Sequence, residues 1–587
     1  MSTTVSFSAL AKNDSESDSL SNVVEHDIDE SSVVFNLKPD LIKYLGSPIA
    51  RRREEIVGDS LSNKIIPIQT SAGEWFILAL PDYAKSMYVE IVRDKCKQAG
   101  SHKSELRVVS ISHNLMLSIT QQEAYDVLEA TADDTSGHFA TFTEIIRYGV
   151  QHSASDVHLN VANNDTQSQV KFTIEGQYTA PEQWRMETAR LIEVINIAWQ
   201  KGQGGGSSVF TEKAEAQCRL VLPIDGEMIM CRWASLAADR GTSVTLRLLK
   251  LDLSIQRRSL ESQGFLPSQI AMFHRAQMAE GGAIIIAGVV NSGKSTALAE
   301  ILSLLPDHRK IVTLEDPVEY LIPNSLQNTV VRSLDGRDDE AFTSKLKTFK
   351  RSAANDILIG EIRDTQTGDA FVDITGSGTN LYATTHAKAN FQIPERLASK
   401  AIGIPVDFLA SPGILNLLVY MALVPVLCQN CALPLSSLRV SGGVDRRGVH
   451  HDEIYWGEYI DCIERVFKID SSTMRIKCDE GCDVCRHADL KKLNGYLGRT
   501  AVASLLEPQV DRQMLRYIRE NDTLGFQEYC ESLERTAIDD PDMTNKSMME
   551  CAMYKAHLGI LDPRDIEQKT MAFQTYERII EKRKAKV

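Results

Sequence analysis

Gly288 and the run Gly293-Lys294-Ser295 are set apart by four residues, the spacing Gly-x4-Gly-Lys-Ser. A loop of this kind can cradle a phosphate. Its backbone N–H groups face the anion, and the dipole of a following helix favours negative charge there. Lys294 would reach the β- and γ-phosphates of a nucleotide, and the Ser295 hydroxyl would hold Mg²⁺. Gly288, Asn291, Ser292, Gly293, Lys294, Ser295 and Thr296 are therefore the candidate phosphate-binding residues. The competing reading is a chance match in a glycine-bearing turn. The flanks argue against it: Ala283 to Ile286 read as a buried strand, and the run from Thr296 has helix composition and apolar spacing. Strand, loop and helix in that order are the context the motif requires.

Further polar groups fall at the ends of apolar runs. Lys310 to Leu314 is β-rich and ends in Glu315, Asp316 and Glu319. The run from Asp356 is an apolar strand that delivers Glu361 and Asp364, and Asn380-Leu-Tyr-Ala-Thr-Thr ends at His386. In parallel α/β sheets, ligands sit beyond the carboxyl ends of the strands. Glu361, Glu315 and His386 are thus the candidate catalytic residues. A histidine taken singly is more often structural; a phosphate loop and three strands ending in polar groups change that weighting. Arg232 and Arg247 lie on predicted strands, either as surface arginines or facing phosphate.

Cys428-Gln-Asn-Cys431 and Cys482-Asp-Val-Cys485 form a second constellation, with 50 residues between the pairs. Two Cys-x-x-Cys pairs have the ligand spacing of a zinc ribbon. The loop is longer than usual, but closure entropy grows only logarithmically and costs roughly 1 kcal/mol more. A structural zinc contributes about 10–16 kcal/mol, so the loop length does not decide against it. Cys478 is a substitute ligand by position, and Cys462 reads as a packed thiol. Free core cysteines are the competing reading.

These sites need elements to carry them. The 587 residues suggest roughly three to five domains. With 43% hydrophobic and 24% charged residues the composition is that of a soluble globular protein. A net charge of −15 argues against a general nucleic-acid binder. No apolar run approaches the ~18 residues of a membrane span, and the first residues lack the charged and apolar regions of a secretory signal. Residues 1–33 are acidic and serine-rich, the composition of a disordered tail. Residues 34–130 read as a small α+β domain, with strands at Lys64–Gln69, Glu74–Ala79 and Arg107–Ser112. Its helix, Ala84–Gln98, has Met87, Val89, Ile91 and Val92 as its apolar positions. Residues 137–255 form a second unit, in which Gln169–Ile174 alternates as a half-buried strand. A glycine-rich loop spans 202–208. Residues 262–425 hold the phosphate-loop domain, 426–510 the cysteine subdomain, 511–575 a helical region, and 576–587 a basic tail.

Together the motifs resemble the type II/type IV secretion ATPase superfamily, in the branch that assembles type IV pili and drives type II secretion. The resemblance runs from about Phe139 to Ile566. Ala154-Ser-Asp-Val-His-Leu looks like the opening motif of that family's second N-terminal domain, and Thr313 to Tyr320 looks like its aspartate box. Ile359-Gly-Glu-Ile-Arg-Asp resembles its Walker B, and Thr384-Thr-His-Ala its histidine box. The cysteine pairs followed by Gly495-Tyr-Leu-Gly-Arg-Thr resemble its tetracysteine region. The chain departs at Val290 and Asn291, where the family usually has Thr and Gly; Asn tolerates the left-handed conformation. Lys171 and Thr173 occupy positions that are often arginine. These differences point to a divergent, plasmid- or conjugation-linked member.

The resemblance implies a RecA-like core preceded by a PAS-like α+β domain, with a zinc-binding insertion and a helical C-terminal region. It implies a cytoplasmic homo-hexamer, peripheral to the inner membrane, that uses ATP, Mg²⁺ and Zn²⁺. ATP would sit between the second N-terminal domain and the core, with Arg232 and Arg247 closing on its phosphates. The implied partner is an inner-membrane platform protein, with no direct nucleic-acid binding. Pilus retraction, conjugative DNA transfer and a nucleotide-binding scaffold are the alternatives. The cysteine pairs argue against the first two, and intact Lys294, Glu315 and Glu361 argue against the third.

Overall fold

The computed structural model describes residues 34–35, 38–47, 49–52, 56–57, 64–98, 106–112, 116, 119, 137–202, 210–250, 258–316, 318–330, 345, 348–349, 352–487 and 490–584. The acidic stretch 1–33 and most of the glycine-rich loop, 203–208, lie outside these residues. The chain divides into two compact units, residues 1–136 and 137–587.

The first unit carries a five-stranded sheet in the order Val34–Phe35, Arg107–Ile111, Trp75–Ala79, Ile65–Thr70, Ile49–Arg52. The predicted helix is a short turn, Pro81–Ala84, followed by Met87–Gln98. Its inward face is Val89, Val92 and Cys96. Of the four apolar positions, Val89 and Val92 are buried, and Met87 and Ile91 are exposed. The register of the helix on the sheet picks the i, i+3, i+7 stripe of Val89, Val92 and Cys96.

The second unit opens with a seven-stranded antiparallel sheet. Its order is Ala216–Ile224, Glu227–Leu236, Ser243–Lys250, Ala154–Asn160, Gln167–Ile174, Gln177–Thr179, with Arg185–Glu187 pairing the fifth. Gln167–Ile174 alternates strictly between buried and less buried positions, as its sequence period predicts. Helices Gly137–Gln151 and Thr188–Gln200 share the apolar core on one face. The register sets Arg232 opposite Arg247, and Arg247 opposite Asp156, across three neighbouring strands.

The core sheet follows. Its strands are β1 (Gly282–Ala287), β2 (Ile311–Glu315), β3 (Ser325–Thr329), β4 (Asp356–Ile359), β5 (Asn380–Thr385), β6 (Leu415–Leu427) and β7 (Tyr496–Leu506). The order is β3-β2-β4-β5-β1-β6-β7, parallel except for the β6–β7 pair. β1 and β5 are buried at every position, the apolar run expected of a parallel strand covered on both faces. Helix α1 (Lys294–Ser303) follows β1 and packs in one of the two apolar layers beside the sheet. This is the α/β core that the strand–loop–helix pattern predicts.

The cysteine region is an insertion between two paired strands, as the resemblance implies. β6 leads out to Cys428, and β7 returns from Gly495, so residues placed by sequence in the subdomain belong to the core sheet. The insertion has its own helix, Glu453–Phe467, which shares a core with Met548–His557 and Phe573. The C-terminal helices Arg512–Glu520, Thr523–Ser532, Met548–His557 and Pro563–Lys569 appear where expected. The expected basic tail begins inside a further helix, Phe573–Lys584. Among the described residues no helix is long and apolar enough to cross a membrane.

Candidate functional site

β1 ends at Ala287 and the chain turns through 288–293 into α1. Asn291 has φ +61° and Gly293 φ +89°, both left-handed. Asparagine tolerates that region, so the loop keeps its shape without the usual glycine. Gly288 has no such φ, but a Cβ there would lie 2.4 Å from the Met421 carbonyl oxygen, so only glycine fits. The Lys294 ammonium donates to the carbonyls of Gly288 and Val289, each at 2.9 Å. Those oxygens stand where phosphate oxygens would compete for the same donor. Burial holds the Lys294 pKa below the ordinary lysine value, against the pull of Glu361 and Glu319.

The other candidates converge on this loop from the same sheet edge. The Nδ1–H of His386 donates to the Gly288 carbonyl at 3.0 Å, which turns Nε2 to the Glu361 carboxylate at 3.3 Å. Glu315 accepts from the Thr313 hydroxyl at 2.6 Å and the Gln327 amide at 3.1 Å. Burial raises the Glu315 pKa, and those two donors oppose the rise. The Thr296 hydroxyl donates to that of Tyr320 at 3.1 Å. A cleft of about 360 Å³ lies between the loop and the antiparallel sheet, within the usual range for small-molecule sites. Asn291, Ser292, Gly293, Lys294, Ser295, Thr296, Glu315, Glu361, His386, Arg232 and Arg247 all line it. Gly288 contributes through its carbonyl. The Ser292 hydroxyl is buried without a hydrogen-bond partner among the described residues.

Asp364, expected at this edge, does something else. β4 ends at Ile359, and the Asp364 carboxylate accepts from the Thr367 N–H at 2.9 Å as the cap of helix Thr365–Gly376. Asp364 stands where the chain turns into that helix, and a cap satisfies one of the helix's free N–H groups.

Arg232 and Arg247 differ in their ties. Arg232 donates to the Asp316 carbonyl at 2.7 Å and lies 3.5 Å from its carboxylate. Among the described residues Arg247 is held by Nε alone, at 3.2 Å from Asp156. The sequence reading assigned no role to Asp156, Tyr320, Arg363 or Arg499, which also belong to the site. Asp156 was visible within Ala154–Leu159 and Arg499 within Gly495–Thr500, but their placement depends on strand pairing, which no local pattern reveals.

The four cysteines form a separate centre. Their sulfurs all lie within 4.8 Å of one another. Cys428 to Cys482 is 3.7 Å, Cys431 to Cys485 3.5 Å and Cys482 to Cys485 3.8 Å. A tetrahedron with Zn–S of ~2.3 Å has sulfur–sulfur edges of ~3.8 Å, so the set fits zinc. Burial opposes ionisation of the Cys485 thiol, but the N–H groups of Cys482 and Gly495 outweigh it and bring the thiol down to about 7. Cys478 is not among the four. Cys462 is buried in the core of the insertion, as its sequence reading predicts.

Residues 132–550 match the family model described as type II/IV secretion system protein. The chain is 27% identical over 318 residues to the type II secretion system protein E of Pectobacterium carotovorum subsp. carotovorum, covering 53% of this chain and 58% of that protein. It is 26% identical over 313 residues to the type II secretion system ATPase E of Vibrio cholerae serotype O1, covering 53% and 58%. The chain thus spans little more than half the length of these relatives. Among solved structures, the Legionella pneumophila ATPase DotB aligns with TM-score 0.47 at 16% identity, covering 73% of this chain and 95% of that one. The pilus retraction motor PilT with bound ADP aligns with TM-score 0.43 at 17% identity, covering 74% and 98%. The family match takes in the antiparallel sheet, the phosphate loop, the sheet edge beside it and the cysteine centre, and the chain belongs to the type II/IV secretion system protein family.

Proposed function

We propose that the chain is an ATP hydrolase, working as a homo-hexamer, that powers type IV pilus assembly or type II-like secretion through an inner-membrane platform protein. The observation that carries this reading is the convergence of Lys294, Glu315, Glu361 and His386 on one sheet edge, facing Arg232 and Arg247 across a single cleft. Phosphoryl transfer of this kind needs positioning and charge stabilisation rather than covalent chemistry. Lys294 would exchange its two carbonyl partners for phosphate oxygens. The Ser295 hydroxyl would hold Mg²⁺, which would neutralise charge at the phosphates. Glu361 orients the attacking water, with the His386 ring beside its carboxylate at 3.3 Å. Glu315 is a second carboxylate at the same edge. The four-cysteine centre would hold Zn²⁺ and supports the assembly or secretion branch over retraction.

Binding and hydrolysis can be separated. Lys294 is the main source of phosphate affinity, so Glu361→Gln should keep ATP affinity within about tenfold, or 1.4 kcal/mol. Its turnover should fall at least about a hundredfold, the low end for a positioned acid–base group. The test is nucleotide affinity beside steady-state phosphate release. Wild-type turnover in this variant would show that β4 does not carry the catalytic carboxylate.

A further inference from the structure

The two arginines of the cleft are not equivalent. Arg232 spends its terminal nitrogens on Asp316. Arg247 uses only Nε, so its terminal N–H groups have no partner among the described residues. A guanidinium held by its inner edge keeps its outer fork for a phosphate or carboxylate. The holder is Asp156, only 6% exposed. Its other oxygen, Oδ2, accepts from the Ser155 hydroxyl at 2.7 Å and from the Asn291 side-chain amide at 3.1 Å. The same amide donates to the Ser155 hydroxyl at 3.2 Å. Asn291 belongs to the phosphate loop, and its reach depends on its left-handed φ of +61°. A glycine at this position would have the backbone shape without the amide.

We propose that Asp156 is a positioning residue for Arg247, and that Asn291 ties this positioning to the conformation of the phosphate loop. The arginine that meets the phosphates is then aimed through a two-step link: loop amide to carboxylate, carboxylate to guanidinium. This deepens the proposed function and rests on it.

The test uses the full chain with ATP and Mg²⁺, measuring turnover, KM and equilibrium ATP affinity. Asn291→Gly keeps the loop's φ and removes the amide. It should lower kcat about tenfold while ATP affinity stays within about twofold, because the lost hydrogen bond to a charged group acts on the transition state. Asn291→Asp also tolerates the left-handed region, but sets a second carboxylate against Asp156. It should lower kcat further than Asn291→Gly does. A role confined to backbone conformation would leave both variants at wild-type turnover, which would overturn the proposal. Asp156→Ala should lose about a hundredfold in kcat, and adding Asn291→Gly to it should cost nothing more, since both act through one contact. Additive losses would also overturn the proposal, and the Asn291 pair decides it even where Asp156→Ala does not fold. A wild-type chain that binds no ATP would defeat the functional reading itself, an outcome distinct from normal binding and turnover in all the Asn291 variants.

Discussion

Glu315 and Glu361 both stand at strand ends, yet their surroundings differ. Glu361 faces His386 and, at 3.9 Å, Arg363, with its carboxylate open to the cleft. Glu315 is held by Thr313 and Gln327, and burial raises its pKa above the ordinary glutamate value. The sign of the resulting pH dependence follows. As pH falls through that raised value, the carboxylate gains a proton and can no longer orient water or bind a cation. The acid limb of turnover is therefore expected above the usual glutamate pKa of ~4.3. Thr313→Val removes a donor to the charged form and should move this limb to higher pH. The measurement is kcat against pH for both proteins. A limb that stays put, or moves to lower pH, would remove Glu315 from the hydrolytic step.

Elements explain why the cysteine centre matters beyond its four ligands. β6 and β7 pair along most of their length, and the insertion between them begins and ends at the sulfur cluster. The insertion's helix Glu453–Phe467 packs with Met548–His557 and Phe573, so the cluster closes a core shared with the C-terminal helices. A buried Asp562 adds to the closure, accepting from Arg446 at 2.8 Å, Arg564 at 2.7 Å and the Lys477 N–H at 2.9 Å. Protein purified without added metal should carry about one Zn²⁺ per chain. Its removal should lower Tm and speed hydrogen exchange across 428–496, while β1 stays protected, because zinc contributes to folding only where its ligands are tied together. Reduced, metal-free protein with unchanged Tm would leave the sulfurs as ordinary packed thiols.

On the scale of the whole molecule, the sequence made some levels legible and hid others. Local periodicity revealed β1, β5 and the alternating strand Gln167–Ile174, because burial on one or both faces writes itself into residue type. Motif spacing brought out the phosphate loop and the cysteine pairs. Pairing between distant strands left no local trace, so β7 was assigned to the cysteine subdomain and Asp156 received no role. Asp364 was misplaced because an apolar run does not mark where a strand stops and a helix cap begins. Assembly lies at this scale too: light scattering of Glu361→Gln with ATP and Mg²⁺ should give a hexamer, and a monomer under those conditions would contradict the motor reading. The motor reading requires the cleft between the antiparallel sheet and the core to bind ATP through its phosphate loop and hydrolyse it. Titration of ATP with Mg²⁺ into the wild-type chain and Lys294→Ala, with phosphate release followed on the same samples, tests it most directly. Wild type should bind and turn over, and the variant should lose hydrolysis and bind more weakly while keeping its fold by circular dichroism. Equal binding and equal turnover in the two proteins would place the chemistry, if any, elsewhere in the chain.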